Sequence, residues 1–433
     1  MRRTAPLLAV LLLVAAACVT HQSAPPPPPR PDLRYYVKRA QDPALLQVTL
    51  VAENIGADSI DFAFPVWLPG DFRPIEPGRW AEDVRAYDRS TVELPVRRLG
   101  SNAWRIHPRR APYFLVSYVL HPVRPDGYKR SLISELTATG GYFTGAVAFG
   151  HFKGLETHPA SLSFELGSGW PALCSLDSPE PGRYQARDAH ELAQSGCAYG
   201  PRVRQLETSV RGVSHRVALV APASFREDSL LAVVRDVAGA QSAAFRSPPY
   251  RAYTFFIHLV EPGTSGLGAS SLAGGSAYYL PEIRPDRIRA SGIPQLLAHQ
   301  LFHAWNLGVF PPAELHRPAL DRPVADRGLW LVEGLADHYA RLALARGRVL
   351  PRSEIYAGIA RDLQALAARP GAARANLETV SLQSTRTLER DAAVPLALKS
   401  GLAALALDIE LRRASANGLG ADSLLGWLAG GGS

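Results

Sequence analysis

Short runs in which apolar and polar residues alternate fill the first half of the chain, roughly from Tyr35 to Arg211. "LLQVTLVAE", "SIDFAF", "TVELPVRRL", "YFLVSYVL" and "HRVALVA" are rich in valine, isoleucine, tyrosine and phenylalanine, and turn residues separate them. A period of two in β-branched and aromatic residues predicts strands that bury one face, so this half reads as an antiparallel β domain over residues 35–211. Within it, "FPVWLPGDF" is a Pro-Gly turn carrying an aromatic residue, read as a structural corner. The period lengthens after Pro222. "SFREDSLLAVVRDVAGAQSAAF" opens with a serine cap and continues with helical spacing, and "YTFFIHLV" reads as one more strand. Helical stretches follow in "IPQLLAHQLFHAWN", "DRGLWLVEGLADHYARLALARG", "SEIYAGIARDLQALAAR" and "PLALKSGLAALALDIELRRAS", before a glycine-rich tail. The fold class is therefore α+β, with a mainly helical second domain over 212–433. No internal repeat is visible.

The N-terminus changes the compartment. Arg2 and Arg3 precede the apolar run "APLLAVLLLVAAAC", which is short for a membrane span and has the layout of an export signal over residues 1–18. Small residues leading into Cys18 resemble a bacterial lipobox, although Ala15 stands where leucine is usual. The expectation is a lipidated Cys18 at the mature N-terminus and membrane attachment through that lipid, on the outer membrane or facing the periplasm. Cleavage at an ordinary signal site nearby is the alternative. Residues 19–34, with the run "APPPPPRP", read as a stiff polyproline II spacer. Cys174 and Cys197 remain, and an even pair in an exported chain reads as one disulfide.

Composition excludes more than it assigns. The formal charge is +8, of which Arg2 and Arg3 account for two, leaving +6. The remaining arginines form no block with interleaved aromatics, so nucleic-acid binding is not expected.

The candidate chemistry lies in "LLAHQLFHAWN". With 12 histidines in the chain, His299 and His303 four residues apart are weak evidence alone. On a helix, however, positions i and i+4 share a face, so both imidazoles can reach one metal ion. Glu333, thirty residues after His303 in another helical stretch, can supply the third ligand zinc requires if the two helices lie antiparallel. Asp337, one turn beyond Glu333, suits a carboxylate that accepts a hydrogen bond from a ligating histidine. The competing reading makes the histidines packed core residues and Glu333 a solvated one.

"AHQLFHAWNLGVFPPAEL" followed by "LWLVEGLADHYA" resembles the glycyl aminopeptidase family of gluzincin zinc metallopeptidases, which read HExxHxWN and LWxxEGxTxYY in these blocks. "FPVWLPGDF", "DAHELAQSGCAYG", "AAFRSPPYRAYTFFIHL" and "LKSGLAALALDIELR" extend the likeness in order over roughly residues 35–425. The resemblance implies a β-rich N-terminal domain, a thermolysin-like peptidase domain, and zinc held by His299, His303 and Glu333.

The departures fall on the family's chemistry. Gln300 occupies the position of the helix glutamate, which takes a proton from the attacking water and delivers it to the leaving amine. Gly268 and Ala269, in "SGLGAS", replace the glutamate and histidine of the family's GGLEH motif, where the glutamate recognises a substrate amino terminus. Leu396 and Ala397 stand before "LKSG", where the family carries tyrosines, one of them a stabiliser of the oxyanion. Members often continue into a PDZ domain, which is not expected after "LAGGGS". The resulting expectation is an exported zinc-binding pseudopeptidase that binds peptides or a protein partner. An active hydrolase using another base, such as Glu282 or Glu314, is one alternative. A metal-free structural protein of the envelope is the other.

Overall fold

The computed structural model describes residues 30–68, 75–123, 133–167, 169–244, 248–260, 268–384 and 390–429. Cys18, the export segment and residues 19–29 of the proline-rich spacer lie outside these residues, as do residues 69–74, which include the Pro-Gly pair of the turn, while Asp32 to Arg34, read as spacer, already belong to the first strand. Pro31–Ser433 form one compact unit.

The first part is built as the alternation predicts. In Asp32–Arg39, Leu33, Tyr35 and Val37 point inward and their neighbours outward, and the strand pairs antiparallel with Leu46–Glu53. Together they anchor an eight-stranded sheet whose other members include Tyr113–Leu120, Ala81–Asp88 and Ala160–Glu165. A four-stranded sheet containing Ile60–Ala63 and Ala103–Ile106 shares its core, with Phe62 and Phe64 against Tyr118 at centroid distances of 5.7 and 5.5 Å. The buried hydroxyls of Tyr35 and Tyr118 donate to the carbonyls of Gly150 and Ala148, both at 2.6 Å, which satisfies polar groups that burial would otherwise penalise. One pairing differs from the expected antiparallel pattern: Asp32–Arg39 runs parallel to Ala160–Glu165. Residues 40–159 separate the two strands, ample length for the crossover a parallel pair needs.

The second part opens with a hairpin, Arg204–Val210 with Val213–Val220, that crosses the boundary expected between residues 211 and 212. Arg204–Val210 and "HRVALVA" thus belong to a second, five-stranded sheet and not to the first β domain. Alternation alone specifies a strand's faces, not which sheet it joins. The helix Asp228–Ala244, which starts four residues after the expected serine cap, links Val213–Val220 to the parallel strand Ala252–Val260. Gly275–Pro281 follows in parallel, and Gly268–Leu272 closes the sheet as an antiparallel edge. Helix Ile293–Asn306 lays Leu297, Leu301 and Trp305 on Tyr253, Phe255, Ile257 and Tyr278 of this sheet. Helices Leu329–Arg346, Arg352–Ala367 and Arg390–Ala414 complete the bundle. The sequence reading omitted Pro370–Arg374 and Leu377–Ser384, and took Ala421–Ala429 into a loose tail. None exceeds nine residues, too few turns for a clear period. Among the described residues, no helix is long and apolar enough to cross a membrane.

Trp67 is more than a corner. Fully buried, it packs with Leu315, Leu329, Val332, Val380 and Leu396, so the β-rich part reaches the helices that build the site. Beside it, the Val66 amide donates to the Leu320 carbonyl at 2.7 Å.

Cys174 and Cys197 face each other in register across antiparallel strands and are joined as a disulfide. Its chain separation of 23 residues corresponds to about 3 kcal/mol of stabilisation through the unfolded state. A non-reduced digest should contain the linked peptides, and Cys197→Ser should lower the unfolding free energy by about that amount. Free thiols at both positions in the oxidised protein would contradict the pairing.

Candidate metal centre

Helix Ile293–Asn306 begins with Pro294 in its first turn, and the Ser291 hydroxyl accepts from the Ile293 amide at 3.1 Å. The sheet-facing stripe of Leu297, Leu301 and Trp305 fixes the rotation of this helix, which turns His299 and His303 toward helix Leu329–Arg346. Contacts step in opposite directions along the two helices: Gln295 to Asp337, His299 to Asp337 and Glu333, His303 to Glu333, Asn306 to Val332. The helices are therefore antiparallel, and their packing brings three donors from two segments to one point.

That point has the dimensions of a metal cage. His299 Nε2 and His303 Nε2 lie 3.1 Å apart, His299 Nε2 is 3.3 Å from Glu333 Oε2, and His303 Nε2 is 3.8 Å from Glu333 Oε1. Ligands at 2.0–2.1 Å from a tetrahedral zinc ion are separated by about 3.3 Å, so these three donors fit one ion. Among the described residues this is the one group of three or more histidine, cysteine or carboxylate side chains so arranged. The outer ring nitrogens are engaged as well. Asp337 Oδ1 lies 2.8 Å from His299 Nδ1, and Asn306 Oδ1 lies 3.0 Å from His303 Nδ1. Each contact assigns Nδ1 as a donor, so that in the neutral ring Nε2 keeps a lone pair aimed inward. The sequence reading placed Asp337 in this role but gave none to Asn306, although its place three residues after His303 was a signal. The Asn306 amide also donates to the Val332 carbonyl at 2.8 Å, which ties the histidine helix to the residue before Glu333.

Electrostatics in the metal-free cluster follow from crowding. Burial opposes a charged His299, yet Asp337 and Glu333 outweigh it and raise the imidazole to about 10. His303 is lowered, chiefly by burial, with the neighbouring His299 adding to it. Burial would raise Glu333 and Asp337, but the histidines hold both carboxylates below their ordinary values. Without metal the site thus keeps a proton on His299 at neutral pH, in the place where a cation would sit.

The cluster forms the floor of a cleft of about 790 Å³. Its walls are Gly268, Ala269 and Ser270 of the edge strand, Leu280 and Ile283, Leu296, and Leu396 of the long helix. Gln300 also lines it, only 8% exposed, and its Oε1 is buried with no hydrogen-bond partner. Glu282 and Glu314, the alternative bases suggested by sequence, are exposed and are not among the described residues lining the cleft. The side chain of Ala397 lies outside the described residues.

Zinc should bind stoichiometrically here, and His303→Ala should abolish it. Because zinc needs a neutral His299 and the metal-free site holds that ring protonated at pH 7, binding should release about one proton. Calorimetry in two buffers of different ionisation enthalpy reads this directly; a heat independent of buffer would contradict it.

Residues 35–201 match the N-terminal domain of peptidase M61, and residues 293–397 match the M61 glycyl aminopeptidase domain. No curated protein matches significantly. Among solved structures, an aminopeptidase N family protein from Idiomarina loihiensis is similar with a TM-score of 0.79 and 17% identity, over 92% of this chain and 70% of its own. An M1 zinc metallopeptidase from Deinococcus radiodurans is similar with a TM-score of 0.52 and 18% identity, over 92% of this chain and 84% of its own. At these identities the likenesses establish the fold. The second match of the M61 models encloses His299, Gln300, His303, Glu333, Asp337 and Leu396, the first covers most of the β-rich part, and the chain accordingly belongs to the M61 glycyl aminopeptidase family.

Proposed function

We propose that this chain is a zinc-binding member of its family with impaired catalysis, which holds peptides or a protein partner in its cleft at the cell envelope. One observation carries the reading: the three donors keep the spacing of a zinc cage, while the buried side chain beside them is Gln300, with an unpartnered amide oxygen. Zinc, when bound there, polarises a carbonyl and acidifies water. The remaining work falls to this chain's own groups. Asp337 and Asn306 hold the two imidazoles in their ligating tautomer. Gln300 lines the cleft, but a neutral carboxamide takes up no proton at working pH, so it cannot carry one to a leaving amine. Leu396 offers an alkyl wall and no hydroxyl where a tetrahedral oxyanion would need a donor. Ala269 and Gly268 present no charge to a substrate ammonium. A cleft of this size with mainly apolar walls still suits an extended peptide.

Hydrolysis of peptides and amino-acid amides by the native protein should therefore be absent or slower than in an intact gluzincin by at least the ~10²–10⁴ that a general base supplies. Gln300→Glu should recover only a trace. Gln300→Glu combined with Leu396→Tyr should do better, since base and oxyanion donor act on one transition state, the donor adding roughly 10²–10³. Robust, chelator-sensitive turnover by the unmodified protein would sink this reading and point to a different base.

Placement at the envelope rests on the export-type N-terminus and on Cys18. Treatment with globomycin should make an unprocessed precursor accumulate. Normal maturation under the drug would show that Cys18 is not lipidated.

A further inference from the structure

The carboxylate that orients His299 is itself held by something that has no side chain. Gly401, buried in helix Arg390–Ala414, lies directly against Asp337. A methyl group at Gly401 would stand 2.9 Å from Asp337 Cβ, 3.0 Å from its Oδ2 and 3.4 Å from its Cγ. Oδ2 is the oxygen not used toward His299, whose Nδ1 is met by Oδ1. The closest of these atoms, Cβ, is fixed to the backbone and cannot swing aside as a side-chain tip can. One turn earlier along the same contact, a methyl at Gly334 would meet the Ser400 carbonyl oxygen at 2.4 Å. Two glycines on facing helices thus let the long helix approach helix Leu329–Arg346 along the stretch that carries Glu333 and Asp337.

We infer that Gly401 is a positioning residue of the metal centre, acting through Asp337: its missing side chain lets the carboxylate lie flat between the two helices with Oδ1 on His299. This rests on the metal-site reading above, but its failure is separable from that reading. The bland account is that Gly401 merely allows close helix packing, as glycines at crossings often do.

The test is a cycle of Gly401→Ala and Asp337→Gly, with Gly426→Ala as control, since a methyl at Gly426 meets nothing within 4 Å. Zinc affinity is measured by competition with a fluorescent chelator. In the metal-free protein, the hydrogen-bonded Nδ1 proton of His299 is followed by NMR. Gly401→Ala should weaken zinc about 10–100-fold, the range expected when a residue supporting a ligand is disturbed, and should shift or remove the His299 proton signal. In the Asp337→Gly background, where the new methyl has room, Gly401→Ala should cause no further loss. Gly426→Ala should change neither readout. Equal losses of zinc affinity in both backgrounds, or an unaltered His299 signal in Gly401→Ala, would overturn the inference. If Gly401→Ala alone does not fold, the double variant decides: folding with the zinc affinity of Asp337→Gly supports the role, and failure to fold there as well assigns Gly401 to packing only. Absence of zinc from the wild type would sink the metal-site reading, while the His299 signal would still judge Gly401.

Discussion

Everything in this site depends on the face-to-face packing of helix Ile293–Asn306 against helix Leu329–Arg346. Two imidazoles and two carboxylates crowd together where they meet, His303 buried and His299, Glu333 and Asp337 half-buried, and charges so far removed from water are costly unless they compensate one another. Here the compensation is complete on the outer side, where Asp337 and Asn306 satisfy the Nδ1 atoms, and incomplete on the inner side, where three donors converge with 3.1–3.8 Å between them. Repulsion at that inner point is relieved by a proton on His299 or by a cation. A core selected only for stability would gain from replacing such a cluster with apolar side chains of similar volume. Its presence, with oriented tautomers, is the physical argument for a metal.

The rest of the molecule serves that packing. The five-stranded sheet sets the rotation of the histidine helix through Leu297, Leu301 and Trp305. The β-rich part braces the glutamate helix through Trp67, which shares a buried apolar cluster with Leu329 and Val332. The long helix closes the assembly at Gly401 and supplies Leu396 to the cleft wall. On the proposed reading, a missing base at Gln300 and a missing oxyanion donor at Leu396 leave these supports intact, because none of them uses a glutamate or a tyrosine at those positions. Metal holding and catalysis are thus physically separable in this architecture.

Much of this was legible in the chain. The apolar run around His299 and His303 marked a helix whose bounds coincide with the quoted stretch, and the i, i+4 spacing put both rings on one face. Asp337 followed from its one-turn offset from Glu333. What escaped depends on contacts between distant segments. Nothing local distinguishes Gly401 from other helical glycines, or shows that Trp67 is buried among helices 250 or more residues away. The strand Val213–Val220 alternates like its predecessors, and only its pairing with Ala252–Val260 assigns it to the second sheet. Asn306 could have been read from its own helix, since i+3 from His303 lies on the same face.

Anomalous diffraction at the zinc absorption edge, on crystals of protein purified without chelator, addresses the central claim most directly. The account predicts one strong peak, about 2.0–2.2 Å from His299 Nε2, His303 Nε2 and a Glu333 oxygen, with Asp337 and Asn306 still on the outer ring nitrogens. A site without a peak, or with metal bound elsewhere and the two imidazoles turned apart, would contradict it.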